Sequence, residues 1–353
     1  MRIVQLIDSL EAGGAERMAV HYANVLYEKI AFSGLVATRK EGVLKQDIQP
    51  IVSYAFLGRK NKFDFKAIGL MLDYIKKNQI EIIHAHGSSY FFGVLVKIFC
   101  PKIKLIWHDH YGNRAKDHKQ KMVLKICSFF FSKILTVNDE LRIWALRYLN
   151  CKHVFFIPNF SDLKATETQT ILKGENHKRI VCLANLKNPK NHITLIQAFI
   201  SSEIYKENWT LHLIGKDFND TYSNEIKSLI KATTLEDSIF IYDACQDVKF
   251  ILSQATIGVL SSTYEGFPVT LLEYAQAPLA VVSTNAGFCK FMIQNNSNGL
   301  LFEPLDSAAL SNHLKYLIHN PEICVNFARQ FQKDMNIHYS KEAVIHNYLN
   351  LIP

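Results

Sequence analysis

Short apolar runs alternate with longer segments of helical period along almost the whole chain, and this alternation restricts its fold more than any other feature. In the first half, strands are predicted at 2–8, 34–38, 51–55, 80–85, 104–108, 133–137 and 153–157. Helices are predicted between them at 16–29, 64–78, 89–99, 118–131 and 139–149. Parallel strands need long crossovers, which helices supply, so this pattern predicts a parallel sheet. Residues 161–178 are polar, without strand or helix period, and read as a linker. A second alternation follows, with strands at 179–183, 209–214, 238–242, 257–261, 279–283 and 299–302. Its helices are predicted at 191–201, 222–232, 246–253, 268–277, 290–294, 306–319 and 321–332. A last helix near 340–350 has no strand to pair with and is free to cross back onto the first domain.

The expectation is an α/β protein of two Rossmann-like, doubly wound domains facing each other across a cleft. They occupy 1–160 and 179–335, with 161–178 as linker and 336–353 as a C-terminal helix packing on the N-terminal domain. A length of 353 residues suits two domains of ordinary size. No apolar run reaches the length of a membrane span, and the first residues read as a strand rather than a signal peptide. The 7 cysteines form no C-x-x-C pair, which points to a reducing, cytoplasmic setting and away from a disulfide framework or metal cluster.

Charge is unevenly placed. Residues 1–150 hold 23 basic and 13 acidic side chains, a net +10, whereas the remainder holds 17 and 19, a net −2. Basic residues are dense from Lys97 to Lys133 and are interleaved with Phe129, Phe130 and Phe131. Such a surface suits peripheral contact with an anionic membrane. Nucleic-acid binding and an ordinary solvated face are the competing readings.

The motif richest in chemistry is SSTYEGFPVTLLEYA, in which Glu265 and Glu273 stand eight apart around Gly266, Phe267 and Pro268. Proline lacks a backbone N–H and suits the first position of a helix, so a helix is predicted from Pro268. The N–H groups of Phe267, Val269 and Thr270 would then face a bound anion. Two carboxylates do not suit a phosphate alone. They do suit a ligand that also carries hydroxyls, and the stretch reads as a nucleotide-sugar clamp. Three other motifs end predicted strands. Gly13-Gly14 allows close backbone approach before a helix. His108-Asp109-His110 places His110 clear of its strand, where a structural role or a metal site competes with a ligand role. In ANLKNPKNH, Lys190 can neutralise a diphosphate, Lys187 can add a second cation, and Asn191 can cap the following helix.

Together these residues resemble glycosyltransferase family 4, the retaining enzymes of the two-domain GT-B fold. The resemblance runs through GGAER, HDHYG, IPNF, LANLKNPKNH, SSTYEGFPVTLLEYA, VVSTNAGF and NGLLFEP. It implies a donor nucleotide-sugar held mainly by the second domain, and a lipid-linked or polysaccharide-precursor acceptor held by the first. It further implies Glu265 on the donor sugar, Glu273 on the ribose, Lys190 on the diphosphate, His110 near the reacting sugar, and Gly13–Gly14 backbone at the phosphates. Transfer would proceed on one face of the sugar with no cofactor and no metal. Three positions depart from the family pattern: Asn185 where many members have arginine, with Lys187 nearby as a substitute cation; Ala277-Pro278-Leu279-Ala280 where Gly-Leu-Pro is usual; and Lys290-Phe291 where an acid is expected. The competing functions are a nucleotide-sugar 2-epimerase and a non-catalytic nucleotide-sugar-binding subunit. A dinucleotide oxidoreductase lacks its glycine fingerprint here.

Overall fold

The computed structural model describes residues 1–11, 13–111, 114, 121–164 and 170–352. The chain forms two compact units, residues 1–160 with 341–353, and residues 161–340.

Unit 1 holds strands β1 (Arg2–Ser9), β2 (Phe32–Lys40), β3 (Ser53–Phe56), β4 (Ile82–His86), β5 (Lys104–Asp109), β6 (Lys133–Thr136) and β7 (Val154–Phe156). All are parallel, in the order β3-β2-β1-β4-β5-β6-β7. Its helices are α1 (Gly14–Tyr27), α2 (Phe65–Asn78), α3 (Tyr90–Phe99), α4 (Lys121–Cys127) and α5 (Asp139–Tyr148). Unit 2 holds β8 (Arg179–Leu183), β9 (Thr210–Ile214), β10 (Ile239–Tyr242), β11 (Ile257–Leu260), β12 (Ala280–Thr284) and β13 (Leu300–Phe302). These are also parallel, in the order β10-β9-β8-β11-β12-β13. Its helices are α6 (His192–Ser202), α7 (Thr221–Ala232), α8 (Val248–Ser253), α9 (Val269–Gln276), α10 (Cys289–Met292), α11 (Ser307–His319) and α12 (Pro321–Tyr339). Helix α13 (Lys341–Leu351) buries Val344, Ile345 and Tyr348 against Ile3, Tyr22, Ile82 and Phe160 of unit 1.

Each sheet reverses its winding once, between β1 and β4 in unit 1 and between β8 and β11 in unit 2. Loops leaving the carboxyl ends of strands at such a reversal diverge to opposite faces, and ligands bind in the crevice this leaves. The central strands have both faces covered, as parallel strands require. Ile3, Val4 and Leu6 of β1 and Ile180, Val181 and Cys182 of β8 are all fully buried.

Element ends differ from expectation where local caps decide them. Gly13 is the extended N-cap of α1, so that helix starts at Gly14, and Pro268 precedes α9 instead of opening it. Asn191 adopts a left-handed conformation and makes no side-chain cap on α6; its Oδ1 accepts from the Thr194 hydroxyl. Residues 118–120 of the expected helix 118–131, residues 165–169 of the expected linker, and Gly112 lie outside the described residues, and α4 is described from Lys121.

Unit 2 carries a built-in acid sensitivity. His212 on β9 is fully buried, bonded to the Thr210 hydroxyl at 2.9 Å and stacked on Phe240. Burial, aided by nearby Arg179, brings it from 6.5 down to about 3. Between these values the unfolded chain binds a proton that the folded chain refuses. The neutral site therefore contributes fully above about pH 6.5 and its contribution is lost as pH falls toward 3, at up to about 1.4 kcal/mol per pH unit. In urea titrations, wild type should lose stability faster than His212→Gln between pH 7 and 5. Parallel pH curves for the two proteins would refute this.

Candidate active site

The reversal point of unit 2 lies between β8 and β11, and the loops leaving these strands carry Lys190 and Glu265. Lys190 Nζ donates to Glu265 Oε1 at 2.6 Å. The Ser262 hydroxyl donates to the same oxygen at 2.6 Å. Glu265 is buried and the lysine mostly so. Burial alone would lower the lysine pKa, but the adjoining carboxylate outweighs it and holds the ammonium above its ordinary value. Lys190 is therefore charged at neutral pH, with further N–H donors for a second anion.

The two loops are tied by polar bonds. Thr263 N–H donates to Pro189 O at 2.9 Å, and the Ser261 hydroxyl donates to Lys190 O at 3.0 Å. Behind them, the Thr284 hydroxyl donates to Ser262 O at 2.6 Å and Phe288 N–H to Glu265 O at 3.1 Å. Gly287 has a left-handed backbone (φ 55°), and a Cβ there would lie 1.8 Å from Glu265 O. Only glycine fits under the glutamate.

The remaining predicted residues of unit 2 are placed as follows. Phe267 is buried against Phe288, with ring centroids 5.0 Å apart. Gly266, Val269 and Thr270 are half-buried, and Pro268 is buried. The Thr270 hydroxyl donates to Leu183 O at 3.2 Å, tying α9 to β8. The N–H of Val269 does not face a ligand as expected: it donates to Phe267 O at 3.1 Å, because the first turn winds tightly after Pro268. Glu273 is buried on α9. Asn185 turns to the loop after β9, its Oδ1 accepting from Lys216 N–H at 3.0 Å, while Lys187 is exposed. Two thiols, Cys182 and Cys289, belong to the same electrostatic neighbourhood, and burial pushes each up to about 12. Neither is a nucleophile at neutral pH.

In unit 1, Gly13 and Gly14 lead into α1. The Glu16 carboxylate crowds Gly13, where an added Cβ would meet it at 2.1 Å, whereas nothing lies within 4 Å of a Cβ on Gly14. His110 follows β5 with its ring turned inward, Nε2 lying 2.9 Å from His86 Nδ1. Asp109 is taken up by Arg114 in a two-pronged pair at 2.6 and 2.9 Å, which removes it as a base or ligand.

Beside the His-x-His expected on β5 stands a second, unanticipated one, His84-Ala-His86, on β4. The signal was present as two His-x-His repeats on neighbouring strand ends, since residues two apart share a face. Nitrogens of His84, His86 and His108 lie within 4.8 Å of one another. Zinc at about 2.0–2.1 Å from each would draw them to roughly 3.4 Å apart. Both nitrogens of His86 already hold hydrogen bonds, to Gln5 at 2.8 Å and His110 at 2.9 Å. The cluster fits a hydrogen-bonded network better than a metal centre.

Gly287→Ala should shift the Glu265 loop while leaving the sheet in place. Its thermal midpoint should fall by several degrees, and any nucleotide-induced stabilisation should be lost. Lys190→Met leaves a buried carboxylate without its partner and should cost about 3 kcal/mol in urea unfolding. A cost below about 1 kcal/mol would show that the pair does not hold the two loops.

Known proteins resemble this chain over almost its whole length. The profile of the family "Glycosyl transferases group 1" matches residues 163–334, and that of "Glycosyltransferase Family 4" matches residues 12–165. An uncharacterized glycosyltransferase of Haemophilus influenzae is 24% identical, with 97% of this chain and 96% of the relative aligned. The Campylobacter jejuni GalNAc-alpha-(1->4)-GalNAc-alpha-(1->3)-diNAcBac-PP-undecaprenol alpha-1,4-N-acetyl-D-galactosaminyltransferase is 22% identical, with 97% and 96% aligned. The crystal structure of Anabaena HepE in complex with UDP and glucose superposes with a TM-score of 0.83 at 15% identity, covering 99% of each chain. With two parallel Rossmann-like sheets and both profiles matched in sequence order, the chain belongs to the group 1 glycosyltransferases of the GT-B fold.

Proposed function

We propose that this glycosyltransferase moves a sugar from a UDP- or GDP-type donor to a lipid-linked or polysaccharide-precursor acceptor, with retention of configuration, in cell-surface glycan synthesis. The observation that carries this reading is the buried Lys190–Glu265 pair at the reversal point of a parallel sheet. A cation and a hydroxyl acceptor stand side by side there, which is what a sugar diphosphate needs. The HepE complex supports a UDP-type donor and the Campylobacter relative a lipid-diphosphate acceptor, each by its own described ligand or substrate.

In this reading Lys190 stabilises the departing diphosphate and Glu265 accepts from a donor-sugar hydroxyl. Glu273 accepts from the ribose, and Gly266, Phe267, Pro268, Val269 and Thr270 shape the turn around the donor. Asn185 and Lys187 border the diphosphate. His110 belongs with the reacting sugar and Gly13–Gly14 with the donor phosphates, as the resemblance implies. The acceptor hydroxyl attacks from the side the diphosphate leaves, and the departing phosphate oxygen takes its proton. No covalent intermediate is required, in keeping with the two protonated thiols. Fixed cations and backbone dipoles carry the leaving-group charge without a metal.

The protein works in the cytoplasm, on the inner face of the cell membrane. Helices α3 and α4 pack side by side, and around them Phe99, Met122, Val123, Ile126 and Phe129 are 54, 76, 52, 57 and 73% exposed. Lys102 and Lys125 are exposed beside them. No described helix is long and apolar enough to cross a membrane. Apolar side chains flanked by lysines suit shallow insertion among anionic headgroups.

Turnover of radiolabelled UDP- and GDP-sugars with a lipid-linked acceptor tests the reaction. Glu265→Gln should lower kcat by about 10²–10³-fold, and Glu273→Ala should mainly weaken donor binding. Unchanged turnover in Glu265→Gln would remove that residue from the mechanism. For the membrane face, a Met122→Ser/Ile126→Ser/Phe129→Ser variant should lose about tenfold in affinity for phosphatidylglycerol vesicles, with turnover of a soluble acceptor analogue retained. Equal binding of both proteins would place the membrane contact elsewhere.

A further inference from the structure

The carboxyl ends of β1, β4 and β5 carry a buried row of polar side chains that the transfer mechanism does not otherwise use. Gln5 of β1 pairs in register with His84 of β4, and His86 of β4 with His108 of β5. His84, His86 and His108 are fully buried, and His110 lies next to them. The rings of His108 and His110 are 4.0 Å apart, and those of His86 and His110 are 5.2 Å apart and stacked. Tyr22, Phe160 and Tyr348 close the row from the helix side. Burial holds all four imidazoles below their ordinary pKa, His110 at about 3, so each is neutral at physiological pH. A neutral imidazole has one N–H and one bare lone pair, and its neighbours decide which nitrogen has which.

Here that decision starts at Gln5. Its amide oxygen lies 2.8 Å from His86 Nε2 and can only accept, so His86 carries its proton on Nε2. His86 Nδ1 is then bare and must accept from His110 Nε2, 2.9 Å away. His110 is left with a bare Nδ1, which is buried and has no partner among the described residues. We infer that Gln5 and His86 are positioning residues that fix the tautomer of His110 and present its Nδ1 as a hydrogen-bond acceptor for a substrate hydroxyl. The group received there is a donor, a sugar or acceptor O–H, and not a phosphate or carboxylate oxygen. A bare nitrogen repels such oxygens, whereas an N–H would attract them.

The tautomers follow from hydrogen-bond geometry and burial; the substrate half rests on the transferase reading. The experiment separates the two. The full chain, labelled with ¹⁵N-histidine, is examined by long-range ¹H–¹⁵N correlation NMR, in which protonated and bare ring nitrogens resonate far apart. His110 is assigned by the signals lost in His110→Gln. Wild type should show His110 protonated on Nε2 and bare on Nδ1. Gln5→Leu, which removes the fixed acceptor, should convert His110 to a mixture of tautomers. The same variant should lose about tenfold or more in transfer kcat, equivalent to one oriented hydrogen bond, with donor KM changed less than twofold. A merely structural role for Gln5 would lower the thermal midpoint without that split. A wild-type His110 protonated on Nδ1, or a Gln5→Leu spectrum with His110 unchanged, overturns the relay. If Gln5→Leu does not fold, the wild-type spectrum decides alone. If the relay is seen but kcat and KM do not split, the tautomer stands and its role in transfer falls. If wild type transfers no sugar, the transferase reading fails while the NMR result still decides the relay.

Discussion

The contact between Lys190 and Glu265 is the constraint on which the C-terminal unit depends. Two opposite charges withdrawn from water are costly, and they persist only where geometry and further hydrogen bonds compensate them. Here the Ser262 hydroxyl shares the same carboxylate oxygen, and the loops bearing the two charges are cross-linked by Thr263 N–H and the Ser261 hydroxyl. Gly287 lets the β12–α10 turn press directly on the glutamate backbone. A well-packed apolar pair would serve stability at least as well. The charges instead suit a site that must exchange partners. In the proposed reaction a diphosphate arriving at Lys190 would compete with Glu265, and the carboxylate oxygen it releases would become an acceptor for a sugar hydroxyl. On that proposal the resting ion pair holds each group where its ligand counterpart would be needed, at little net charge until then.

Much of the fold was legible in the sequence because parallel strands announce themselves as apolar runs at regular spacing. The two doubly wound sheets follow from that spacing, and the observed strand orders place the reversal points. Legibility fell at helix starts, where one residue's conformation decides. Pro268 looked like a first helical residue, yet its ψ of 87° leaves it outside α9, and the N–H of Val269 turns back to Phe267 O. Asn191 looked like a cap and instead takes a left-handed conformation with its amide on Thr194. In both cases composition was right for a helix boundary and silent about which atom would bond to which.

The site was legible in the same uneven way. Lys190 and Glu265 were picked out separately by motif, but their direct contact across 75 positions depends on the winding of the sheet. Gly287 shows its purpose only once the glutamate backbone is seen lying against it. The histidine row was hidden more deeply. Each His-x-His repeat is unremarkable on its own strand, and a four-ring cluster arises only from β4 pairing with β5 in the register His86 to His108. Strand register is a tertiary property, and no local pattern near His110 specifies it.

That row also shows where unit 1 departs from an apolar core. Both nitrogens of His108, Nε2 of His84 and Nδ1 of His110 are buried without partners among the described residues. Unsatisfied polar atoms of this kind cost about 1–3 kcal/mol each, so a core selected for stability alone would replace these rings with leucine or phenylalanine. They sit instead on β4, beside the reversal point, and on its neighbour β5, toward the carboxyl ends where open α/β sheets receive ligands. The same low polarity that makes the rings costly keeps them uncharged. An uncharged imidazole does not attract stray anions, and it can still receive a hydroxyl. Each sheet thus sets buried polar groups beside its own reversal point: unit 2 a charge pair, unit 1 a row of neutral imidazoles.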